Sequence, residues 1–566
     1  MPRRPLLALA AIAAMAAAVA AMLPPPAAPA AAGFQQMWPV ARGAYHVHSS
    51  RSDGAGTLDQ VAEAARRAGL QFVVVTDHGD GRRAPDPPQY RAGVLCIDGV
   101  EISTESGHYV AIDLPATPYP LAGHPREVID DVRRFGGFGF VAHPGSPKAG
   151  LQWTDWDASF DGLEWLNADS EWRDELWASL GRGLLTYAFR PAETLAALLD
   201  RPADVLARWH RVASRRRVPA IAGADAHARL GFRQGADPYP DGVSARLPSY
   251  EASFRAFTNH VILDRPLSGD AAADARVIVD GIREGRMFTS IDGFAALASF
   301  EARATSGAAT ARPGEYLDVT APVAIEARIA APPGTTLVVL RDGEILYEVA
   351  EPALRVDIGT EPGAYHLEAR LPSDVSRSTI PWVLTNPMYV HLRSAHARLQ
   401  TTSPPPATER LPIATALWRP EASDGSTSTL GPTTLDDGTP ALEWQFTLAG
   451  GPRAQQYAAL HFVVDAGLAT RDRLQLRARS DRPRRLWAQL RADGGGDGER
   501  WGRTFYLDPA IQAHELFFSD LRPIGRVSSP RAPLDRVDSL LLVVDTLNNE
   551  PGASGRIWMT DLWLAR

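Results

Sequence analysis

The polarity pattern divides the chain into a front half, where short apolar runs alternate with amphipathic helical segments, and a back half of short alternating strands. Trp38 to His48 opens the first predicted strand. Thr57 is placed to cap a helix whose apolar face is Leu58, Val61, Ala62 and Ala65, with Gly69 as its stop. Gln71 to Val75 is a β-branched run, read as a buried strand, and it ends in Thr76-Asp77-His78. Further strands are predicted at Val94–Val100, Gly107–Leu114, Phe138–Ala142, Leu163–Leu166, Val218–Ala222, Asn259–Leu263 and Arg286–Ser290. Helices are predicted between them at Arg126–Phe135, Glu171–Leu180, Pro202–Arg217 and Asp270–Glu284. Alternating β and α with polar residues at strand ends argues for a parallel β/α barrel over residues 38–293.

After Gly293 the period changes to two. Val323 to Ile329 alternates, Leu337–Leu340 and Ile345–Tyr347 flank an Asp-Gly turn, and Tyr365, Leu367, Ala369 and Leu371 alternate again. Residues 294–395 read as a small β-sandwich. Residues 396–410, with Pro404-Pro405-Pro406, form a linker. Residues 411–566 show seven or more short strands with Gly and Asp turns, the pattern of a jelly-roll-like sandwich. Trp418, Trp444, Trp487, Trp501, Trp558 and Trp563 suit either sugar stacking or, as the default for a sandwich, its core. Asp493–Glu499 lacks the full calcium-loop pattern and reads as a solvated turn.

Composition narrows the classes. At 566 residues the chain is long enough for about three or four domains. A net charge of -8 gives no basic surface for broad nucleic-acid affinity. Cys96 is the single cysteine, so a disulfide framework and a Cys-rich zinc module are excluded, and any metal must use His, Asp and Glu. Residues 1–32 carry Arg3 and Arg4, an apolar run from Pro5 to Leu23, and small-residue cleavage candidates. They read as a secretory signal peptide or an uncleaved N-terminal anchor, so the body is expected to be exported, periplasmic or extracellular. No later stretch has the length and apolarity of a membrane-spanning helix.

The chemistry gathers at the strand ends. His46 and His48 are spaced i, i+2, which puts both imidazoles on one face of an extended segment, and Asp53 follows in a turn closed by Gly54. Alone this is a modest metal-ligand signal. Five separate strand ends, however, deliver His46, His48, Asp53, His78, Glu101, His108, His143, Asp225 and His227. Six of the 14 histidines fall in this set. Asp77 is read as an acceptor that orients a ligand. Glu164 and Asn167 on a strand end, and Arg82 and Arg83 in the loop after His78, are candidate pocket residues, with structural and solvated roles as the plain alternatives.

These motifs resemble the polymerase-and-histidinol-phosphatase family, the PHP domain. The matching segments are HVH with Asp53, TDH at Thr76–His78, GVE ending in Glu101, GHYVAI at Gly107–Ile112, AHPG at Ala142–Gly145 and GADAH at Gly223–His227. The order GVEIST, GHYVAI, AHPG is similar to the carbaryl-hydrolase-like branch. The resemblance implies an α/β distorted (β/α)7 barrel, here followed by two all-β sandwich domains, with two or three divalent metal ions. It implies that His46, His48, Glu101 and Asp225 hold one ion, that Asp53, His78, His227 and a shared Glu101 hold a second, and that His108 and His143 serve a third. Imidazole with carboxylate suits Zn, Mn or Fe, and such ions activate water at neutral pH.

The leading expectation is an exported metal-dependent phosphoesterase acting through metal-activated water on a small-molecule ester. Glu101, His143 and Asp77 are the candidate catalytic residues, and Glu164, Asn167 and Arg82 the candidate substrate contacts. Two alternatives stay open. One is a carboxylic or carbamate ester hydrolase on the same centre. The other is a glycan or cell-surface binding protein with an inactive barrel, the glycan taken by the last domain.

Overall fold

The computed structural model describes residues 19–173, 175–231, 244–245, 247–376, 378–390, 410–412, 417–452, 456–465, 467–492 and 498–566. The first eighteen residues of the expected signal or anchor, most of the Pro-rich linker, and residues 493–497 of the acid-glycine turn lie outside the described residues. The chain forms two compact units. One comprises residues 1–80, 84–115 and 124–399, and the other residues 81–83, 116–123 and 400–566.

The first unit is built on a curled mixed sheet. Its central strands are β1 (Val40–Val47), β2 (Phe72–Val75), β3 (Val94–Thr104), β4 (Gly107–Ile112), β5 (Phe138–Val141), β6 (Gly162–Asn167), β7 (Ala220–Gly223), β8 (Thr258–Ile262) and β9 (Met287–Ser290). They lie in the order β9-β8-β1-β2-β3-β4-β5-β6-β7. Each of β2, β5, β7 and β8 is buried along its whole length. This is why β2, β5 and β7 read as short apolar runs and not as alternating ones, whereas β8 also buries Thr258, Asn259 and His260. Helix α1 (Leu58–Arg67) forms where expected: Thr57 caps it and Gln60 returns the hydrogen bond to the cap backbone. It buries Val61, Ala62, Ala64 and Ala65. Helix α2 (Ala271–Glu284) ends at Gly285, whose φ of 73° needs no Cβ.

The expected (β/α)7 barrel is not what forms. About 39% of the described residues are strand and 17% helical. The site-bearing sheet is a curled half-barrel. Two local causes are visible. Ser103↔His108 and Thr104↔Gly107 turn β3 and β4 into an antiparallel hairpin, and β5 also runs antiparallel to β4. A hairpin needs only a two-residue turn, so no crossover helix is placed there. On the other side, β8 pairs antiparallel with the first half of β1 at Val40–Gly43, on the edge a closing parallel strand would need. Only the other half of β1 meets the end of β7, through Ala224 N–H to Tyr45 O (2.8 Å) and His48 N–H to Ala226 O (3.1 Å).

Nor does the segment 294–395 stand apart as a sandwich. β9 pairs antiparallel with Val383–Thr385, which continues the same sheet into Gly363–Arg370 and Thr336–Arg341. Phe300–Ser306, Ala309–Ala311, Val323–Ile329 and Ala353–Gly359 form a separate four-stranded sheet.

The second unit has two antiparallel six-stranded sheets. Trp444 and Phe446 from one and Leu486, Leu490 and Trp501 from the other share one apolar core. Trp418, Trp444 and Trp501 are core residues, whereas Trp487, Trp558 and Trp563 are half-buried.

Candidate metal centre

β1 loses its regularity where its chemistry begins. Its register with β2 shifts between Ala44 and Val47, and His46 sits at φ 62°. The two histidines therefore come together through a kink rather than along a regular extended strand, with ring centroids 5.1 Å apart. His143 (φ 33°) and Asp225 (φ 44°) are also left-handed. Such backbone costs of order 1–3 kcal/mol per residue and persists only where the surroundings over-determine it. Three instances among nine candidate ligands mark the place where the fold is held for chemistry rather than for stability.

All nine side chains converge. Glu101, 1% exposed, stands at the centre. Its Oε2 lies 3.2 Å from His46 Nε2, 3.1 Å from His48 Nε2 and 3.3 Å from His78 Nδ1. Its Oε1 lies 2.7 Å from His108 Nδ1 and 2.9 Å from His143 Nε2. Asp225 Oδ1 is 3.4 Å from both His46 Nε2 and His48 Nε2. Asp53 reaches His48 Nδ1 at 3.3 Å with Oδ1, and His227 Nε2 at 2.9 Å with Oδ2. Three groups have donor atoms close enough to share an ion: His46, His48 and Glu101; His48, Asp53, His78 and His227; and His78, Glu101 and His108.

The donor chemistry fits cations. In three of the imidazoles one nitrogen is committed as an N–H donor. His46 Nδ1 donates to Glu164 Oε1 (2.6 Å), His143 Nδ1 to Leu151 O (3.0 Å) and His227 Nδ1 to Asp225 O (2.9 Å). The remaining nitrogen of each faces a carboxylate oxygen, so a positive charge, a proton or a metal ion in its place, has to lie between the two. Separations of 2.9–3.4 Å are those of neighbouring ligands, since donors 2.0–2.1 Å from a tetrahedral ion lie about 3.3 Å apart.

The titration behaviour says the same. Burial alone would lower His46, but Asp225, Glu164 and Glu101 raise it well above its ordinary value. His48 is raised against burial by Asp225, Asp53 and Glu101, and His143 by Glu101. Burial would raise Glu101 and Asp225, yet His46 and its neighbours hold both carboxyls well below their usual range. A cluster that draws protons onto buried imidazoles has a surplus of negative charge, which divalent ions would satisfy. His78 differs, because burial lowers it.

The pocket residues divide. Glu164, fully buried, accepts from His46 Nδ1, from His143 N (2.6 Å) and from Asn167 Nδ2 (2.8 Å). Asn167 Nδ2 also lies 3.3 Å from Asp225 Oδ2. Both therefore back the ligands. A Cβ at Gly223 would stand 2.3 Å from Glu164 Oε1, so this carboxylate's place requires glycine there. Asp77 accepts from Ser49 N (2.8 Å), Ser49 Oγ (2.6 Å) and Ser52 Oγ (2.7 Å), which orders the loop after His48. Arg82 pairs with Glu550 within the second unit. Sequence reasoning passed over Ser49, Ser52 and Tyr250, whose hydroxyl donates to His48 O at 2.8 Å and accepts from Gly56 N at 3.1 Å. The polar run Ser49-Ser50-Arg51-Ser52 was the available signal for the first two, while nothing local marks Tyr250.

No family model matches the chain, and no curated protein matches it. Among solved structures, it is similar to a two-domain protein from Bacteroides vulgatus described as containing a predicted PHP-like metal-dependent phosphoesterase. That similarity has 13% identity over 65% of this chain and 99% of the other, with a TM-score of 0.28. The chain is also similar to a family 11 carbohydrate-binding module from Clostridium thermocellum bound to a mixed-linked tetrasaccharide (17% identity, 27% of this chain and 93% of the module, TM-score 0.24). A family 30 carbohydrate-binding module of a Clostridium thermocellum cellulase matches at 11% identity over 26% of this chain and 90% of the module, TM-score 0.20. The chemistry of the site therefore rests on its own side chains.

Proposed function

We propose that this chain is an exported metal-dependent phosphoesterase, a PHP-like hydrolase of small phosphate esters that holds two or three Zn, Mn or Fe ions. The observation that carries the reading is the bridging position of Glu101, with both carboxylate oxygens directed at imidazoles. His46, His48 and Asp225 would hold an ion on the buried side of Glu101. Asp53, His78 and His227 would hold one on the open side, and His108 and His143 would meet Glu101 Oε1. Bound cations would supply a hydroxide nucleophile near neutral pH and offset charge on the ester oxygens. His78, His227, Asp53 and His108 have side chains 12–22% exposed, so the ester would approach across this rim, while fully buried His46 and His48 form the floor. Glu164 holds the Nδ1 proton of His46 and keeps its Nε2 lone pair turned to the centre.

The test is elemental analysis of the full chain together with turnover of p-nitrophenyl phosphate, bis-p-nitrophenyl phosphate and naphthyl carboxylic esters. Two or three metal equivalents with phosphate ester turnover are expected. Turnover of the carboxylic esters alone would replace the reading with that of a carboxylic ester hydrolase.

A glycan partner for the second unit has its own support. Tyr457 and Trp487 are half-buried and pack on a small apolar cluster separate from the sandwich core. Nearby on the same strand, the buried Gln489 Oε1 has no hydrogen-bond partner among the described residues. An aromatic platform beside an unspent amide suits a sugar ring. Retardation of the full chain in polysaccharide gels, lost on Trp487→Ala, is the expected result.

A further inference from the structure

We infer that helix α3 (Trp177–Tyr187) is an interfacial membrane-docking surface, laid on a lipid bilayer by the apolar segment that precedes the described chain. Large apolar side chains are rarely exposed in clusters. Here Leu176 (75%), Trp177 (84%), Leu184 (64%), Leu185 (56%) and Phe189 (64%) fall within fourteen residues. At 100° per residue, Trp177, Ala178, Gly181, Leu184, Leu185 and Ala188 share one outward arc, with Arg182 at its edge. The inner side is fixed. Thr186 is buried and hydrogen-bonds Thr194 (3.0 Å), and Tyr187 Oη accepts from Ser249 N (2.8 Å). The helix is thus amphipathic the wrong way round for a water-facing element. A Trp- and Leu-bearing face of this kind suits the headgroup boundary of a bilayer.

The occupant is identified by where the chain comes from. The run Pro5–Leu23 has about the length that spans a bilayer. Its described end, helical over residues 19–22, is tied to this helix: Arg182 Nε donates to Met22 O at 2.9 Å, and Arg190 donates to Pro24 O. If the run stays in the membrane as an anchor, the point at which it leaves the bilayer is the flank of α3. The exposed arc then has to lie at the lipid surface.

The test uses the full chain with its N-terminus, on a Cys96→Ala background, reconstituted into phosphatidylethanolamine–phosphatidylglycerol vesicles. Nitroxide labels are placed through Leu185→Cys, Phe189→Cys and, as a control on a separate exposed hairpin, Leu346→Cys. The ratio of accessibility to dissolved oxygen over accessibility to an aqueous nickel chelate is expected to rise severalfold at 185 and 189 on reconstitution, and to stay unchanged at 346. An unchanged ratio at 185 and 189 overturns the proposal. So does spin–spin broadening between copies at these sites in detergent, which would mean that a second chain covers the face. Recovery from exporting cells of a chain that begins after Ala32 would also overturn it. None of these readouts involves ester turnover, so the proposal stands or falls separately from the hydrolase reading.

Discussion

Glu164 Oε1 lies 2.6 Å from His46 Nδ1, with neither side chain exposed to solvent. All three groups that reach Glu164 are donors: an imidazole N–H, the His143 backbone N–H and the Asn167 amide. A carboxylate accepts all of them, whereas an amide would turn an NH2 group toward one. Glu164→Gln therefore keeps the size of the side chain but loosens either His46 or the His143 backbone. Partners of this kind typically control metal affinity by about 10- to 100-fold. The expected outcome is a loss of that order in zinc affinity, read by chelator competition, with the fold retained by circular dichroism. Unchanged affinity would show that Glu164 serves packing alone.

Glu101 is the residue on which the centre depends most. Glu101→Ala leaves His46, His48, His78, His108 and His143 facing one another without the carboxylate between them. Turnover is expected to vanish and bound metal to fall by at least one equivalent. His46→Ala is expected to abolish turnover as well, because His46 faces both Glu101 and Asp225. Substantial residual rates in both variants would remove the assigned centre.

How much of this was legible depends on what a residue type costs where it sits. Histidines and carboxylates at the ends of apolar strands are expensive to bury, so His46, His48, Glu101, His143 and Asp225 announce a site from their neighbours alone. Strand direction carries no such mark. The apolar runs of β4 and β5 look the same whether their neighbours run parallel or antiparallel, and the hairpin at Ser103–His108 is short enough to pass for a loop. The barrel expectation failed there, while the strand ends it placed together do converge. The role of Glu164 was hidden for a different reason. Besides the nearby Asn167 amide, its partners are one imidazole 118 residues away and one backbone N–H, and a backbone donor leaves no trace in the sequence.

Asp77 bears on the loop rather than on the ions. Its two oxygens take three hydrogen bonds, from the Ser49 backbone and from the Ser49 and Ser52 hydroxyls. This loop leads into Asp53, whose carboxyl burial would raise but His227 and His48 hold well below its usual range. At about 1 kcal/mol per neutral hydrogen bond, and somewhat more to a carboxylate, Asp77→Ala releases roughly 3 kcal/mol of local order. Hydrogen exchange over residues 49–56 is expected to accelerate on the order of a hundredfold, with a drop in kcat, while exchange in β8 stays as it was. Equal acceleration in both segments would point to global destabilisation instead.

Asp545 closes the strand Val537–Asp545 in the second unit, away from any candidate ligand in sequence. Burial pushes its carboxyl from 3.8 up to about 6, even though the Leu547 N–H donates to Oδ1 at 3.1 Å. In the unfolded chain this group titrates near its ordinary value of about 3.9. Between those values the unfolded chain has lost the proton and the folded one still holds it. Folding then takes up a proton at this group, so its contribution to stability is most favourable below about pH 4, declines as the pH rises toward 6, and stays low above. The full penalty is at most roughly 3 kcal/mol, and less where solvent reaches the carboxylate. Asp545→Asn keeps an oxygen for the Leu547 N–H and cannot ionise. Calorimetry of the full chain should show the transition of this unit raised by several degrees near pH 7.5 and unmoved near pH 4. A gain of equal size at both pH values would mean that the substitution acts through packing, and no gain at either would mean that the carboxyl is better hydrated than its burial implies.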